Sequence, residues 1–370
     1  MRMISVVTAL LVVLFGFSGA RAALSLPAVH DAAGKALAVP VPVQRVICSG
    51  SGCLRLLTYL QAQHMAVAVD DIEVRRDRFD ARPYALANPS FKNLPVFGQF
   101  RGYDNPERIL MLAPQPQVVF KTYTSSMGYD PLELQQKTGI PVVVLNYGDL
   151  GAGRQHLYDS LRMMGHVVGK TGRAEEVITF FENAIADLQR RTAGIAENMR
   201  PSVFVGGIAF KGPHGFQSTE PAYPPFSFVN ARNLAGQDAV GSRLQHSDVS
   251  REKIVQWNPD YLFVDLSTLR LADKANGIEE LRSDPAYATL SAVRQGRVFG
   301  LLPYNWYTQN YGSILANAYY IGSVLYPERF ADVDPAAKAD EIYTFLVGSP
   351  VFDQLNRSFD GLAYRAVPVN

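Results

Sequence analysis

Aromatic and cationic side chains occupy the loops that follow the predicted strands, and their chemistry suits the binding of a ligand. In open α/β sheets, ligands bind beyond the carboxyl ends of the strands. Aromatic walls with a few cations bind bulky, flat or anionic molecules through stacking, cation–π contacts and charge-assisted hydrogen bonds. A tyrosine on a long loop also packs that loop against the protein body, so the prediction depends on the clustering of these residues. Lys121, Lys211 and Tyr304 lie in the same loops. The residues that we predict to contact a ligand are Arg101, Tyr103, Tyr123, Tyr147, His214, Tyr223, Trp306 and Tyr307.

Motifs of catalytic and metal centres are missing from the sequence. It has no Gly-x-Ser-x-Gly elbow and no His-Glu-x-x-His, and its six histidines include no pair at i and i+4. The Gly50-Ser-Gly52 turn lacks the full glycine fingerprint and the P-loop lysine of a phosphate-binding loop, which favours a plain tight turn. We therefore expect no catalysis. We also expect no capture of bare zinc or manganese, which needs a cluster of histidines and carboxylates. The sequence leaves open whether the bound molecule itself carries a metal. In that case a tyrosinate or His214 is the candidate protein group that coordinates it.

The two cysteines of the chain, Cys48 and Cys53, stand on either side of this turn. In an oxidising compartment such a close pair forms a disulfide where the geometry of the two side chains allows it. Two free buried thiols and a metal site are the alternatives. The sequence leaves all three open.

Two stretches of the chain share a pattern of a short amphipathic helix, a proline and then a buried strand. They are residues 107–114 and 252–259, and an apolar run follows each of them at once. Further along, a glycine and another strand follow each copy, starting at Gly139 and at Gly296. This alternation of helices and strands predicts parallel sheets. Two similar α/β halves imply two lobes with a cleft between them.

A long helical segment separates the two halves. Apolar residues in its second helix recur at three- and four-residue spacing, and about 25 helical residues span roughly 38 Å. We predict that this helix is a stiff connector. Residues 70–105 are polar and rich in aromatics, which we interpret as a long surface excursion. The predicted organisation is a signal peptide over 1–22, an N-terminal α/β lobe over 23–152, connecting helices over 153–198, a C-terminal α/β lobe over 199–346 and a tail over 347–370.

The N-terminus has the pattern of a cleaved signal peptide. A charged start is followed by the apolar run from Val6 to Phe17 and by a small-x-small site that ends at Ala22. The run is shorter than the ~18–20 residues of a spanning helix. The cut carries no cysteine, so a lipoprotein anchor is not expected, and the predicted location is the bacterial periplasm. A net charge of +1 without a basic block argues against nucleic acid and anionic lipid as partners.

The chain resembles the periplasmic substrate-binding proteins of ABC importers, in the class that carries ferric siderophores, haem and cobalamin. The resemblance covers about residues 40 to 346. It rests on both helix–proline–strand units, the long mid-chain helix, Val43-Gln-Arg-Val46, Leu54-Arg-Leu-Leu57, Asn233-Leu-Ala-Gly236 and Val293-Arg-Gln-Gly-Arg-Val298. It implies two three-layer α/β/α lobes joined by a rigid helix, a shallow cleft, and delivery to a permease and its ATPase in the inner membrane. It also implies that one acidic residue on each lobe docks on permease arginines, and by position these are Glu133 and either Glu279 or Glu280.

We therefore expect a monomer without an intrinsic cofactor that binds a ferric siderophore or another metal chelate. The cysteine pair and the proline- and tyrosine-rich loop 218–226 depart from the family pattern and favour an unusual chelate. Haem or a cobalamin-like corrinoid is the alternative ligand. A metallocluster enzyme on a duplicated α/β scaffold is another alternative, but it needs more than two cysteines. A sensor subunit that signals to a membrane receptor is a further alternative, because it has the same binding fold.

Overall fold

The computed structural model describes residues 30–36, 39, 43–237, 244–271 and 275–369. The predicted signal peptide over 1–22 lies outside the described residues. Among the described residues, no helix has the length and apolar character needed to cross a membrane. Strands and helices alternate along the chain, as the predicted α/β class requires.

The first half of the chain builds a six-stranded sheet. Its strands are β1 (Val46–Ser49), β2 (Ala66–Asp70), β3 (Val96–Gln99), β4 (Tyr103–Asp104), β5 (Val118–Thr122) and β6 (Val142–Leu145). Their spatial order is β4-β3-β2-β1-β5-β6, and all pairings are parallel except the one between β3 and β4. The helices between them are α1 (Cys53–Tyr59), α2 (Pro83–Ala87), α3 (Pro106–Leu110) and α4 (Pro131–Thr138).

Successive residues of the central strands enter two separate hydrophobic clusters, one on each face of the sheet. Ile47 and Val119 belong to a cluster that includes Leu134 of α4. Cys48 and Phe120 belong to the other, larger cluster. Because side chains alternate between the two faces of a strand, this division shows that both faces are covered. It also explains why the central strands carry apolar residues at successive positions rather than only at every second one.

The connecting segment forms two helices, α5 (Arg154–Val167) and α6 (Thr171–Thr192). Helix α6 has 22 residues, which corresponds to a length of roughly 33 Å. Its apolar residues recur on one face and are buried, as the spacing predicts, and they are Ala174, Val177, Ile178, Phe181, Ile185 and Leu188. The helix is thus stabilised by packing along most of its length. The boundaries given above for the lobes stay predictions.

The second half of the chain builds a smaller parallel sheet. Its strands are β7 (Ser202–Gly206), β9 (Arg232–Asn233), β11 (Tyr261–Asp265) and β12 (Val298–Leu301), in the order β12-β11-β7-β9. Two short strands, β8 (Ser218–Thr219) and β10 (Ser247–Asp248), pair with each other in antiparallel fashion. The helices of this part are α7 (Pro224–Phe228), α8 (Arg251–Trp257), α9 (Gly277–Ser283) and α10 (Ser291–Arg294).

The repeated helix–strand units occupy equivalent places in the two sheets. Helix α3 begins after Asn105, whose side chain accepts a hydrogen bond from the Arg108 N–H, and α8 begins after Ser250, which accepts from the Lys253 N–H in the same way. The strand that follows each helix, β5 or β11, lies between two parallel neighbours. The structure therefore confirms the two-lobed α/β fold predicted from the repeat.

The C-terminal region packs on both lobes. It contains α11 (Tyr311–Leu325), α12 (Pro335–Val347) and α13 (Phe352–Ser358). Helix α12 contacts α1 and α2 of the first lobe. The segment predicted as a tail adds to the edge of the second sheet, because the Val367 N–H donates to the carbonyl of Val298 at 2.8 Å. Beyond α13, the ring of Phe359 lies 5.6 Å from that of Phe79 in the first lobe.

Candidate ligand-binding cleft

A cavity of about 390 Å³ lies between the two lobes. This volume is within the range of roughly 300–1,000 Å³ that small-molecule sites occupy. The lining from the first lobe includes Ser51, Arg75, Phe79, Arg82, Phe100 and Arg101. The lining from the second lobe includes Lys211, Pro213, Ser267, Arg270, Trp306 and Tyr307. We refer to this cavity as the interlobe cleft.

The lining residues follow the carboxyl ends of parallel strands in both sheets. In the first lobe, Ser51 comes after β1, and Arg101 comes after β3. In the second lobe, Lys211, Ser267 and Tyr307 come after β7, β11 and β12. Because parallel strands end at the same edge of a sheet, their loops converge there. The cleft lies where the two such edges face each other.

Two of the cations in the lining are already neutralised by carboxylates of the first lobe. The Arg82 guanidinium forms ion pairs with Glu73 and with Asp80, each at 2.8 Å. The Arg75 guanidinium forms an ion pair with Asp71, also at 2.8 Å. These two arginines therefore form part of the cleft wall but add little net positive charge to it.

Three further cations face the cleft without such a partner. Arg101 lies on the first lobe, and Lys211 and Arg270 lie on the second. Among the residues that the structure describes, no carboxylate lies within 4.0 Å of their charged nitrogens. The lining also contains Asp77, a carboxylate without an ion pair among the described residues, so positive charge is in excess by two among these unpaired groups. An excess of positive charge in a concave site favours a ligand with negative charge.

Aromatic rings hold several of these guanidinium groups in place. The guanidinium carbons of Arg75 and Arg101 lie 4.7 and 5.0 Å from the centre of the Phe100 ring. That of Arg270 lies 4.7 Å from the centre of the Trp306 ring. Cation–π contacts at these distances are attractive and leave the edge N–H groups able to bind a ligand. The cleft thus pairs aromatic surface with directed donors.

A hydrogen bond joins the two lobes beside the cleft. The Tyr307 hydroxyl of the second lobe donates to Asp70 Oδ2 at the end of β2, and its oxygen accepts from the backbone N–H of Arg101 at 3.1 Å. Burial raises the pKa of the Asp70 carboxyl well above its usual range, and the neighbouring Glu73 raises it further. Tyr307 is therefore fixed by contacts with both a side chain and the backbone of the opposite lobe.

Four non-glycine residues of the cleft have left-handed backbone conformations. Their φ angles are 63° at Arg101, 58° at Lys211, 52° at Tyr307 and 63° at Thr308. Residues with a side chain rarely adopt this region, and such conformations cluster at ligand sites because the surrounding structure has to hold them there. Their concentration on both walls supports a binding role for the cleft.

Tyr223, which we predicted to line the cleft, is instead buried in the second lobe. Its side chain is 1% exposed, and its ring centre lies 4.8 Å from that of Phe226. Tyr304 is buried beside it, with its hydroxyl donating to Glu220. The cause is local, because Tyr223 directly precedes α7 and the start of this helix turns its ring into the core.

Lys121 also lies inside a lobe rather than in the cleft. It is fully buried, and its ammonium group forms an ion pair with Asp104 and donates to Ser49 Oγ at 3.1 Å and to the carbonyl of Gly102 at 2.9 Å. Three partners satisfy the three N–H groups of the ammonium. This lysine ties β4 to the centre of the first sheet.

Three predicted tyrosines are outside the residues that line the cleft. Tyr103 is 51% exposed on the edge strand β4, and Tyr123 lines a separate small cavity on the first lobe. Tyr147 is partly buried, and its carbonyl accepts a hydrogen bond of 2.7 Å from the Tyr311 hydroxyl. Burial raises the pKa of the Tyr147 phenol. Adjacent positions in an extended chain face opposite ways, so a place in a strand-end loop did not ensure that the side chain turns to the cleft.

His214 lies next to the cleft but is not among the residues that line it. Its Nε2 is 2.8 Å from the carbonyl oxygen of Phe210, and its ring centre is 5.5 Å from that of His246. The preceding residue Pro213 does line the cleft. Reasoning from the sequence missed this histidine pair, because its members are distant along the chain.

Both cysteines are buried free thiols in the structure, so the disulfide considered above is not formed in it. Burial raises the pKa of the Cys48 thiol well above its usual range, and the nearby Cys53 adds to the effect. Gly50 and Gly52 between them have φ angles of 85° and 76°. A Cβ at Gly50 would lie 2.3 Å from the carbonyl oxygen of Thr122. A tight turn that only glycine fits is what the local sequence predicted.

The three acidic residues considered for permease docking differ in their surroundings. Glu133 on α4 is exposed and forms an ion pair with Lys137 at 2.9 Å. Glu279 on α9 has 39% of its side chain exposed. Glu280 accepts a hydrogen bond of 3.0 Å from the Phe216 N–H, so this carboxylate already supports the fold. The hydrogen bond that holds Glu280 to the backbone therefore favours Glu279 over its neighbour.

Several lining residues were missed by reasoning from the sequence. Arg75 and Phe79 fall within the segment interpreted as a surface excursion, and Phe100 and Arg270 were not singled out. The available signal was position, because Phe100 directly follows β3. That strand was itself not predicted, so the signal could not be used.

Comparisons with known proteins agree with this geometry. A family model described as periplasmic binding protein matches residues 46–304, which extend from β1 to the loop after β12. The iron-uptake system-binding protein of Bacillus subtilis (strain 168) is 21% identical over 141 residues, which are 38% of this chain and 43% of that relative. The chain thus matches less than half the length of this relative.

Solved structures show the same fold over nearly the whole chain. A periplasmic solute binding protein from Veillonella parvula DSM 2008 is 17% identical with a TM-score of 0.67, covering 90% of this chain and 96% of its own. The molybdate periplasmic binding protein MolA of Haemophilus influenzae is 19% identical with a TM-score of 0.65, covering 87% of this chain and 98% of its own. At these identities the likeness demonstrates the fold alone. Together with the family match over more than half of its length, it shows that the chain belongs to the periplasmic binding protein family.

Proposed function

We propose that this chain is the binding component of an ABC importer and that it captures an anionic metal chelate, such as a ferric siderophore, in the interlobe cleft. The observation that carries the proposal is the composition of the cleft. Both lobes contribute aromatic rings and cations, and Arg101, Lys211 and Arg270 have no carboxylate partner among the described residues. Ferric siderophore complexes often carry negative charge around an apolar or aromatic frame, which such walls complement.

The same proposal covers the partners and the location. The chain acts as a monomer in the periplasm after removal of residues 1–22, catalyses no reaction, and delivers its ligand to a permease and ATPase in the inner membrane. The exposed Glu133 and the half-buried Glu279 are the acidic residues expected to dock on that permease. Membership of a family of solute-binding proteins supports this role.

A fluorescence titration tests the ligand class. The chain has two tryptophans, of which Trp306 lines the cleft and Trp257 lies on α8. In the Trp257→Phe variant the emission therefore comes from Trp306 alone. We expect saturable quenching by a ferric catecholate or ferric hydroxamate chelate. The matched variant Trp306→Phe should show none of this quenching.

The panel also contains haem, cobalamin and molybdate. A Soret or corrin absorption band retained by the purified complex would identify haem or a corrinoid as the ligand instead. Saturable binding of molybdate alone would replace the chelate with a small metal oxyanion. Replacing both Arg101 and Tyr307 by Ala should weaken binding of the true ligand at least about tenfold, roughly 1.4 kcal/mol. Unchanged affinity in that double variant would remove the cleft from the proposal.

A further inference from the structure

Two histidines and an aspartate from two separate segments of the second lobe converge beside the cleft. His214 lies in the loop after β7, and His246 and Asp248 lie at β10. One ligand-type atom of each residue lies within 4.8 Å of the others. Within the described ranges, no other group of three or more His, Cys, Asp or Glu side chains meets this spacing.

Neighbouring groups orient the His246 ring. Phe210 stacks on it at 4.3 Å with an interplanar angle of 9°. Its Nε2 lies 3.0 Å from Oγ of the buried Ser218, and this hydroxyl donates its one hydrogen to the carbonyl of Ile208 at 2.8 Å. The hydroxyl oxygen therefore accepts from His246 Nε2–H, and the other ring nitrogen carries the lone pair.

A hydrogen bond also determines which nitrogen of the His214 ring carries the proton. Its Nε2 lies 2.8 Å from the carbonyl oxygen of Phe210, which can only accept, so Nε2 carries a proton and the lone pair of the neutral ring is on Nδ1. In metal sites, a hydrogen bond from one ring nitrogen to a protein oxygen fixes the tautomer and orientation of the ligating imidazole. Both histidines have such a bond.

From this arrangement we propose that His214, His246 and Asp248 bind one divalent transition-metal ion such as Zn²⁺, with water in the remaining coordination position. Two imidazoles and one carboxylate are a ligand set that suits Zn²⁺. Zinc bonds of ~2.0–2.2 Å place tetrahedral ligand atoms roughly 3.4 Å apart. The Asp248 side chain is 68% exposed, so it can move the small distance that closes the site.

This site is separate from the interlobe cleft and goes beyond the proposed function. None of its three ligands lines the cleft, although Lys211 and Pro213 of the same loop do. The site takes a bare metal ion, whereas the cleft is proposed to take a chelate. Binding of the ion would fix the loop that carries His214.

Calorimetric titration with ZnCl₂ tests the site on tag-free protein that has been freed of metal by a chelator. We expect one equivalent to bind with a dissociation constant in the micromolar range or below, and Co²⁺ to give a visible absorption band of four-coordinate character. His214→Ala and Asp248→Ala should each weaken binding at least about tenfold. The exposed His64 lies in the first lobe, so His64→Ala serves as the matched control and should leave the affinity unchanged.

A second variant and a folding check keep the outcome decisive. His246→Gln retains a donor toward Ser218 and removes the ligand nitrogen, so it should lose metal affinity while its thermal unfolding in chelator matches that of the unchanged protein. Trp306→Phe should bind Zn²⁺ normally, which separates failure of the metal site from failure of the cleft. The proposal would be overturned if one equivalent of Zn²⁺ still bound to the His214→Ala, Asp248→Ala double variant. It would also be overturned if the unchanged protein bound no Zn²⁺ at a concentration of about 100 μM, roughly 100 times a micromolar dissociation constant.

Discussion

Arg55 Nε in the first lobe donates a hydrogen bond of 3.0 Å to Asn310 Oδ1 in the second lobe, and these side chains are 1% and 0% exposed. The same guanidinium donates to the backbone carbonyls of Gln309 at 2.6 Å and of Tyr307 at 2.9 Å. A single buried cation thus fixes the loop that carries Tyr307. This connection, together with α6, restrains the movement of one lobe against the other.

Replacing Arg55 by Met should lower the free energy of unfolding by about 3 kcal/mol, because it leaves buried carbonyls without donors. It should also weaken ligand binding, because the loop that holds Tyr307 loses its anchor. Urea unfolding and the fluorescence titration measure the two effects. Arg294 is exposed on α10, so Arg294→Met is the control. A stability loss no larger than that of the control would contradict the role of Arg55.

The contrast between Tyr307 and Tyr223 gives a second prediction. Tyr307→Phe removes the hydroxyl that donates to Asp70 and accepts from Arg101 across the cleft, so ligand affinity should fall several-fold. Tyr223→Phe changes a group inside the second lobe and should leave affinity within twofold. Equal losses in the two variants would mean that the buried ring affects the site as strongly as the lining ring.

Buried carboxyls of the second lobe predict how stability depends on pH. Burial raises the pKa of Glu220 to about 8 and that of Asp265 to about 7. In the unfolded chain both carboxyls lose their protons at a lower pH, near 3.8 for Asp265 and 4.5 for Glu220, so the folded state binds more protons between pH about 3.8 and 8. The contribution of these two groups to the free energy of unfolding should therefore be highest below pH about 3.8, and it should decrease as pH rises toward 8. Each group contributes at most ~1.4 kcal/mol per pH unit.

Glu220→Gln should flatten this decrease, because the amide does not titrate and still accepts a hydrogen bond from Tyr304. Urea unfolding at several pH values between 5 and 8 measures the slope. Glu107 is exposed on α3, so Glu107→Gln is the matched control and should keep the original slope. If Glu220→Gln kept that slope as well, the protonation of Glu220 would not be its cause.

The cysteine pair gives a fourth prediction. Both thiols are free and buried, and burial raises the pKa of Cys48, which suppresses the reactive thiolate. A thiol reagent should react with neither cysteine in minutes in the folded protein and with both after unfolding in guanidinium without a reductant. In the Cys53→Ser variant, one thiol per chain should react after unfolding. Finding no thiol in the unfolded protein would show that the pair is oxidised.

The sequence alone determined the α/β class, the two repeated helix–strand units and the buried face of α6. These features depend on neighbours along the chain: a proline that ends a helix, the cap at Asn105 or Ser250, and the spacing of apolar residues. The same local information drew attention to Trp306 and Tyr307, because both lie in the loop after the predicted strand that became β12. Arg101 was also predicted, although β3, the strand that it follows, was not.

The tertiary structure decided which of the strand-end residues face the ligand. Tyr223 turns into the core with the start of α7, and Lys121 turns into the first sheet to meet Asp104. Strand β3, in a segment interpreted as a surface excursion, brings Phe100 to the cleft. The pairing of His214 with His246 depends on the contact between β8 and β10. Side-chain direction and long-range convergence follow from packing between distant segments, and the spacing of residues along a chain does not contain that information.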